Sequence, residues 1–352
     1  MRVLICHELY EPDFAGGGEV LVRQTALGLR ELGVSVKVLT TGDPAIDVVD
    51  GIPTLRLPIH RYRFNMASRQ ASALAREADV IQTFTYHACL PALGAGRRTG
   101  RPVVCGVLGL FADEWTRMRG RLVGAAFQRW ERFLLRRPYG RIFFFSESSR
   151  SLGLGLGVDP RRSFVLAPGV DSVAFRPAPQ KDDAVLFASK LDARKGVEDL
   201  VVVARALPDV RFRVIGWGSH PAAESLRSLD NVEMLPFSRG AALHDAFARA
   251  RVFFFPSRAD PFGLVLAEAM AAGCAIVSTV DVGFAGEVVP RRDVAAMVTA
   301  LRGLWDDRER SLRLGRDNVE RARLLTWRRY AETLRATYGE LLASGPSAPG
   351  AS

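Results

Sequence analysis

Short runs of Val, Ile, Leu and Phe recur along this chain, alternate with segments of helical periodicity, and do so in two successive series. The first comprises Val3–Cys6, Val36–Leu39, Val80–Ile81, Val103–Val104 and Ile142–Phe145, and the second Val185–Phe187, Phe212–Ile215, Val252–Phe255 and Ala275–Val277. Strands that alternate with helices build parallel sheets covered on both faces. Two series therefore predict an α/β protein with two doubly wound, Rossmann-like domains. The length of 352 residues leads to the same expectation, because a single core stops growing at roughly 250–300 residues. Turn formers at Ala167-Pro168-Gly169 and Arg176-Pro177-Ala178-Pro179 interrupt the pattern, which places one domain at 1–165 and the other at 166–325. Trp327, Tyr330, Leu334, Tyr338 and Leu341 stand at helical spacing and predict a helix over 326–343 whose apolar stripe must pack on something. The tail 344–352 consists only of Ser, Gly, Pro and Ala and is expected to be disordered.

Composition narrows the class. Hydrophobic residues at 48% and charged residues at 24% exclude a disordered or fibrous chain. Cys6, Cys89, Cys105 and Cys274 are far apart in sequence and form no Cys-x-x-Cys pair, so neither a zinc site nor a disulfide framework is indicated. No leader pattern follows Met1 and no run of about 18 apolar residues occurs, so a cytoplasmic location is expected. The net charge of +10 is uneven: residues 1–165 hold 23 Lys and Arg against 15 Asp and Glu, residues 166–352 hold 25 against 23. Phosphate-bearing substrates and anionic lipid headgroups are the matching partners; nucleic acid is not expected, because no reader motif accompanies the charge.

Two segments carry chemistry. Gly16-Gly17-Gly18-Glu19 follows the first strand and opens a helical pattern running to about Leu32. Glycines allow close backbone approach, and a helix N-terminus offers unpaired N–H groups to a phosphate. The sequence is not Gly-x-Gly-x-x-Gly, which disfavours a nicotinamide dehydrogenase. Ser257-Arg258-Ala259-Asp260-Pro261-Phe262-Gly263-Leu264 comes directly after Val252–Phe255, and Glu268 falls one turn into the helix that starts near Leu264. Ligands of open α/β sheets bind beyond the carboxyl ends of strands, where this turn must lie. Two carboxylates flanking anion-ready amides suit a polyhydroxylated phosphate ester.

The second segment resembles the signature of the retaining glycosyltransferases of family 4, in which two acidic residues bracket Pro-Phe-Gly and the helix continues as Glu-Ala-Met-Ala-x-Gly. Here the match is Asp260 to Glu268 followed by Ala269-Met270-Ala271-Ala272-Gly273. Gly16-Gly17-Gly18-Glu19, Pro168-Gly169-Val170-Asp171, Lys190-Leu191, Lys195-Gly196 and Gly216-Trp217-Gly218 fall in the family's order, so the resemblance spans nearly the whole chain. It implies a GT-B fold, two Rossmann-like domains facing across a cleft, with a nucleoside-diphosphate sugar as donor substrate and no cofactor or metal. It further implies that Glu268 holds ribose hydroxyls, that Lys190 and Lys195 neutralise the diphosphate, and that Phe262, Gly263 and Leu264 offer backbone N–H groups. Asp260 would contact the transferred sugar, and Gly17, Gly18 and Gly216 would border the donor. The acceptor stays open among small molecules, glycans and lipid-linked compounds.

Departures from the pattern qualify the activity. The first acidic residue is Asp260 rather than Glu, Lys190 replaces an Arg and loses its bidentate fork, and Leu108 stands where the family carries His. His87 is the loop residue available to approach the reacting groups in its stead. The loop from Asp281 to Asp293 is short. These changes support an alternative, a glycosyltransferase-like binding or partner protein with little turnover. A glycosidase using Asp260 and Glu268 would leave Lys190 and Lys195 without a purpose. Finally, Arg117 to Arg141 contains eight arginines and the single acid Glu131, interleaved with Leu122, Val123, Phe127, Trp130 and Phe133. This stretch reads either as a helix resting on an anionic membrane surface at the inner face of the membrane or as a helix that packs its apolar side on the first domain and leaves arginines in water.

Overall fold

The computed structural model describes residues 1–13, 16–238 and 240–344; the expected disordered tail lies outside them except for Ser344. The chain divides into two compact units, Met1–Pro168 together with the segment from Trp327 onward, and Gly169–Thr326.

The first unit is built on strands β1 (Arg2–Cys6), β2 (Ser35–Thr41), β3 (Val48–Val49), β4 (Ile52–Leu57), β5 (Val80–Phe84), β6 (Val103–Gly106), β7 (Arg141–Phe144) and β8 (Ser163–Val165). They are ordered β3-β4-β2-β1-β5-β6-β7-β8, parallel except for the β3–β4 pair. The second unit carries β9 (Asp182–Ala188), β10 (Phe212–Ile215), β11 (Val232–Leu235), β12 (Ala250–Phe255), β13 (Ala275–Ser278) and β14 (Gly286–Val288), all parallel in the order β11-β10-β9-β12-β13-β14. Central strands such as β5 and β12 are buried at every position and are mainly apolar, with Gln82, Thr83 and Arg251 as buried polar exceptions. In each sheet the winding reverses once, between β1 and β5 and between β9 and β12. Those reversals are the switch points at which open α/β sheets hold their ligands.

The helix Trp327–Ala343 buries Tyr330, Leu334, Tyr338 and Leu341 in the first unit. The Tyr338 hydroxyl donates to Gln82 Oε1 at 2.7 Å and Tyr330 lies 3.1 Å from the Thr25 hydroxyl. Gly28, inside the helix Gly17–Glu31, lets the two helices touch, since a Cβ there would stand 2.8 Å from Cβ of Ala331.

The arginine-rich stretch is not one helix. Gly120, at φ +77°, separates Glu114–Arg119 from Arg121–Leu135, and Arg141 already belongs to β7. The four free cysteines are buried, and the fold brings the Sγ atoms of Cys89 and Cys105 to 3.9 Å although 16 positions separate them. Among the described residues no helix is long and apolar enough to cross a membrane.

Candidate functional site

In the second unit the segments after β9 and β12 leave adjacent parallel strands at the switch point, side by side. Their backbones are joined. The Arg258 amide donates to the Arg194 carbonyl at 2.7 Å, and the Ser257 hydroxyl donates to the same oxygen at 3.2 Å. Gly196, at φ +72°, permits this approach, because a Cβ would fall 2.1 Å from the carbonyl oxygen of Pro256.

Asp192 organises the cationic loop. Its carboxylate caps the Lys195 amide at 3.1 Å, binds the Arg194 guanidinium at 3.1 Å and lies 4.0 Å from Lys190 Nζ. Lys190 projects toward solvent with 46% of its side chain accessible. Lys195 is directed instead at Asp260, with which it forms an ion pair, and its ammonium sits 5.3 Å from the Phe255 ring centre. The resemblance gives Lys195 to a diphosphate and Asp260 to a sugar; in the structure each is the other's partner. Arg258 is tied back to Asp199 and Glu198 on the helix Val197–Ala206, so it anchors the loop.

Beyond Asp260, Phe262 is buried, Gly263 takes φ +72°, and the helix Leu264–Ala271 begins with no side chain capping its amides. Glu268 retains some accessible surface, yet the protein around its carboxyl strips away water and pushes its pKa up to about 7. No side chain among the described residues donates to or pairs with that carboxyl. Gly216 follows β10 where a Cβ would meet the Leu191 side chain at 2.6 Å, which seats the Gly216-Trp217-Gly218 turn against the Lys190 loop. The Trp217 and Phe237 rings stand 4.8 Å apart, both substantially exposed. The loop after β13 is a tight turn, closed by Ser278 Oγ to the Val280 amide and Asp281 to the Gly283 amide, each at 2.9 Å, and it runs directly into β14.

In the first unit the helix Gly17–Glu31 opens at Gly16 without a side-chain cap, and Gly17 is exposed. Leu108 lies beside this terminus: its Cδ1 would be 3.6 Å from a Cβ on Gly18. His87 follows β5, packs 5.2 Å from the Tyr62 ring and lies 3.4 Å from Asn65 Nδ2. Burial, aided by Arg61 and opposed by Glu8, lowers its pKa and keeps it neutral at pH 7. Glu131 is fully buried and receives the Phe111 and Ala112 amides at 3.0 and 2.8 Å, the Trp115 indole at 3.1 Å and the Tyr86 hydroxyl at 2.5 Å.

The predicted residues thus fall into two groups. Lys190, Lys195, Gly216, Asp260, Phe262, Gly263, Leu264 and Glu268 gather on the second unit, whereas Gly17, Gly18 and His87 belong to the first. Asp192, Arg194, Trp217 and Glu131 were not singled out as site residues by sequence reasoning. Asp192 had a visible signal, an acidic residue three positions before Lys195-Gly196, the spacing of a side-chain cap. Among the described residues no group of three or more His, Cys, Asp and Glu side chains is arranged to hold a metal ion.

Two doubly wound sheets, each with its polar loops at the reversal, define a nucleotide-type α/β architecture. Residues 16–169 match the Glycosyl transferase 4-like domain and residues 172–316 match Glycosyl transferases group 1. The phosphatidyl-myo-inositol mannosyltransferase of Mycolicibacterium smegmatis is 30% identical over 87% of this chain and 85% of its own length. The D-inositol 3-phosphate glycosyltransferase of Segniliparus rotundus is 30% identical over 54% of this chain, an alignment spanning only half of that protein. HepE of Anabaena, solved in complex with UDP-glucose, superposes with a TM-score of 0.77 over 97% of this chain and 100% of its own at 17% identity, a likeness of fold. The chain belongs to the family-4 type glycosyltransferases of GT-B fold.

Proposed function

We propose that this protein transfers a sugar from a nucleoside-diphosphate sugar to an acceptor hydroxyl with retention of anomeric configuration and without a metal ion. The observation that carries this reading is the meeting, at the β9/β12 switch point, of a cationic loop with an acidic one whose Glu268 carboxyl has no partner among the described residues. A carboxyl stripped of water by the surrounding protein gains most from ligand hydroxyls that donate to it. Lys190, Lys195 and the uncapped amides of Gly263 and Leu264 would meet the charge that builds on the departing diphosphate, as preplaced donors do. The exposed Trp217 and Phe237 rings offer a face for the base. Gly17 and Gly18 are assigned to the phosphates and His87, neutral at pH 7, to the acceptor hydroxyl as proton acceptor. The names of the relatives and the basic excess of residues 1–165 favour a phosphate-bearing polyol, of the inositol type, as acceptor.

One observation favours a second reading, a binding protein with little turnover: Leu108, beside the Gly18 helix terminus, brings an apolar side chain where the family carries a polar one. Purified chain mixed with UDP-, GDP-, ADP- and dTDP-sugars and with inositol phosphate or phosphatidylinositol separates the two. Transfer that persists in chelator and yields a product with the donor's anomeric coupling supports the transferase. Nucleotide binding with neither hydrolysis nor transfer supports the second reading.

A further inference from the structure

The helix Arg121–Leu135 turns Gly124, Glu131, Leu134 and Leu135 into the first unit. An ordinary surface helix would then be polar on its opposite side. This one is not: Leu122 is 89% exposed, Val123 53% and Phe133 40%, and Leu122, Ala126, Arg129 and Phe133 fall within one solvent-facing sector at 100° per residue. The charge on the outer side of the helix is cationic, and the Asp113 carboxylate beside it is engaged by Gln128 at 3.2 Å. Arg119, Arg121, Arg129 and Arg132 are exposed, and none of their guanidinium groups has an ion-pair or hydrogen-bond partner among the described residues. The acid within the helix cannot neutralise them, because Glu131 is buried and accepts four donors from Tyr86, Phe111, Ala112 and Trp115.

We propose that this face rests on the surface of a bilayer containing anionic phospholipid, with Leu122, Val123 and Phe133 entering the headgroup and acyl boundary and the four arginines reaching phosphates. Apolar residues on a convex helix, flanked by long cationic side chains, match an interfacial helix. The helix does pack Leu134 and Leu135 on the first unit and leave arginines in water, and it carries exposed apolar residues on its outer side as well. The inference is independent of the transferase reading, since membrane contact is read without turnover.

The test is co-sedimentation of the full chain with vesicles of phosphatidylcholine alone and of phosphatidylcholine with about a third phosphatidylglycerol. Binding is expected to the anionic vesicles and to fall as salt is raised. Arg129→Gln and Arg132→Gln should each weaken it about fivefold, from about 1 kcal/mol per cation near an anionic surface. Leu122→Glu should abolish most of it while far-UV circular dichroism and Tm stay at the parent's values, because that side chain packs on little. No sedimentation with either vesicle, equal sedimentation with both, or unchanged binding by all three variants would overturn the proposal. So would binding to polyglutamate that matches the anionic vesicles and is insensitive to Leu122→Glu, which would point to an acidic protein instead.

Discussion

Lys195 and Asp260, 65 positions apart in sequence, are joined as an ion pair with their side chains only 20% and 10% accessible. The pair binds the loop after β9 to the loop after β12, and it sets two candidate ligand groups against each other. A diphosphate that approaches Lys195 must share an ammonium already held by a carboxylate.

Asp260→Asn removes that rival anion and leaves the loop's shape. Nucleoside-diphosphate binding is therefore expected to tighten by about fivefold, on the order of 1 kcal/mol. Transfer should fall by one to two orders of magnitude if Asp260 contacts the sugar in the transition state. Lys195→Met should weaken nucleotide binding. Titration calorimetry with UDP and GDP beside initial rates checks both. Weaker binding in Asp260→Asn than in the parent would refute the competition.

Glu268 makes a pH-dependent prediction. Its carboxyl has a pKa of about 7 in the folded chain against an ordinary value of 4.5, because burial disfavours the charged form. As pH rises from 4.5 to 7 the unfolded chain releases this proton first, so folding stability contributed by the group falls across that window. Glu268→Gln lacks the penalty. Its Tm should equal the parent's near pH 4 and exceed it by several degrees at pH 8, a shift from 4.5 to about 7 being worth about 3 kcal/mol. The same variant should bind nucleoside diphosphate less well, because an amide accepts fewer hydrogen bonds from hydroxyls than a carboxylate. A constant Tm difference across pH would show that the carboxyl is not desolvated.

The strands that the sequence displayed are those buried along their length, β1, β2, β5, β6 and β7 in one unit and β9, β10, β12 and β13 in the other. Those it concealed are short or half-exposed: β3, β4 with Pro53, β8, β11, and β14 starting at Gly286. Half-burial replaces the apolar run by alternation or by no pattern. Of the candidate site, the Asp260 to Glu268 turn was legible because short-range spacing places it after a strand, and the lysines only through the family resemblance. The tie of Arg194 to Ser257 and Arg258 was not, since it depends on strands distant in sequence becoming neighbours.

Glu131 was visible as the lone acid in a basic stretch but not as an anchor. Its carboxylate gathers two backbone amides, an indole and a phenol, and so fixes the loop before the helix Glu114–Arg119. In Glu131→Gln one oxygen becomes an NH2 group facing N–H donors, leaving buried groups unsatisfied. A loss of about 2–3 kcal/mol is expected, with hydrogen exchange accelerated at Phe111 and Ala112 before other amides. Uniform exchange at the parent rate would contradict the anchoring role.

Tyr338 offers a sharper test of how the C-terminal helix is held. Its ring is fully buried, and its hydroxyl donates to Gln82 Oε1 in the middle of β5, while Gln82 Nε2 donates to the Thr83 carbonyl at 2.8 Å. Burial pushes the phenol pKa well above its ordinary value, so the hydroxyl stays a donor at any pH the fold survives. Tyr338→Phe keeps the packing and deletes only that donor, stranding a buried amide oxygen, which costs about 1–3 kcal/mol. Pairing it with Gln82→Leu removes the stranded group as well, so the double variant should recover part of the loss. Urea unfolding of the parent, both single variants and the double variant measures the coupling. Additive losses would mean that the hydroxyl and the amide do not stabilise each other, and that the helix is held by its apolar stripe alone.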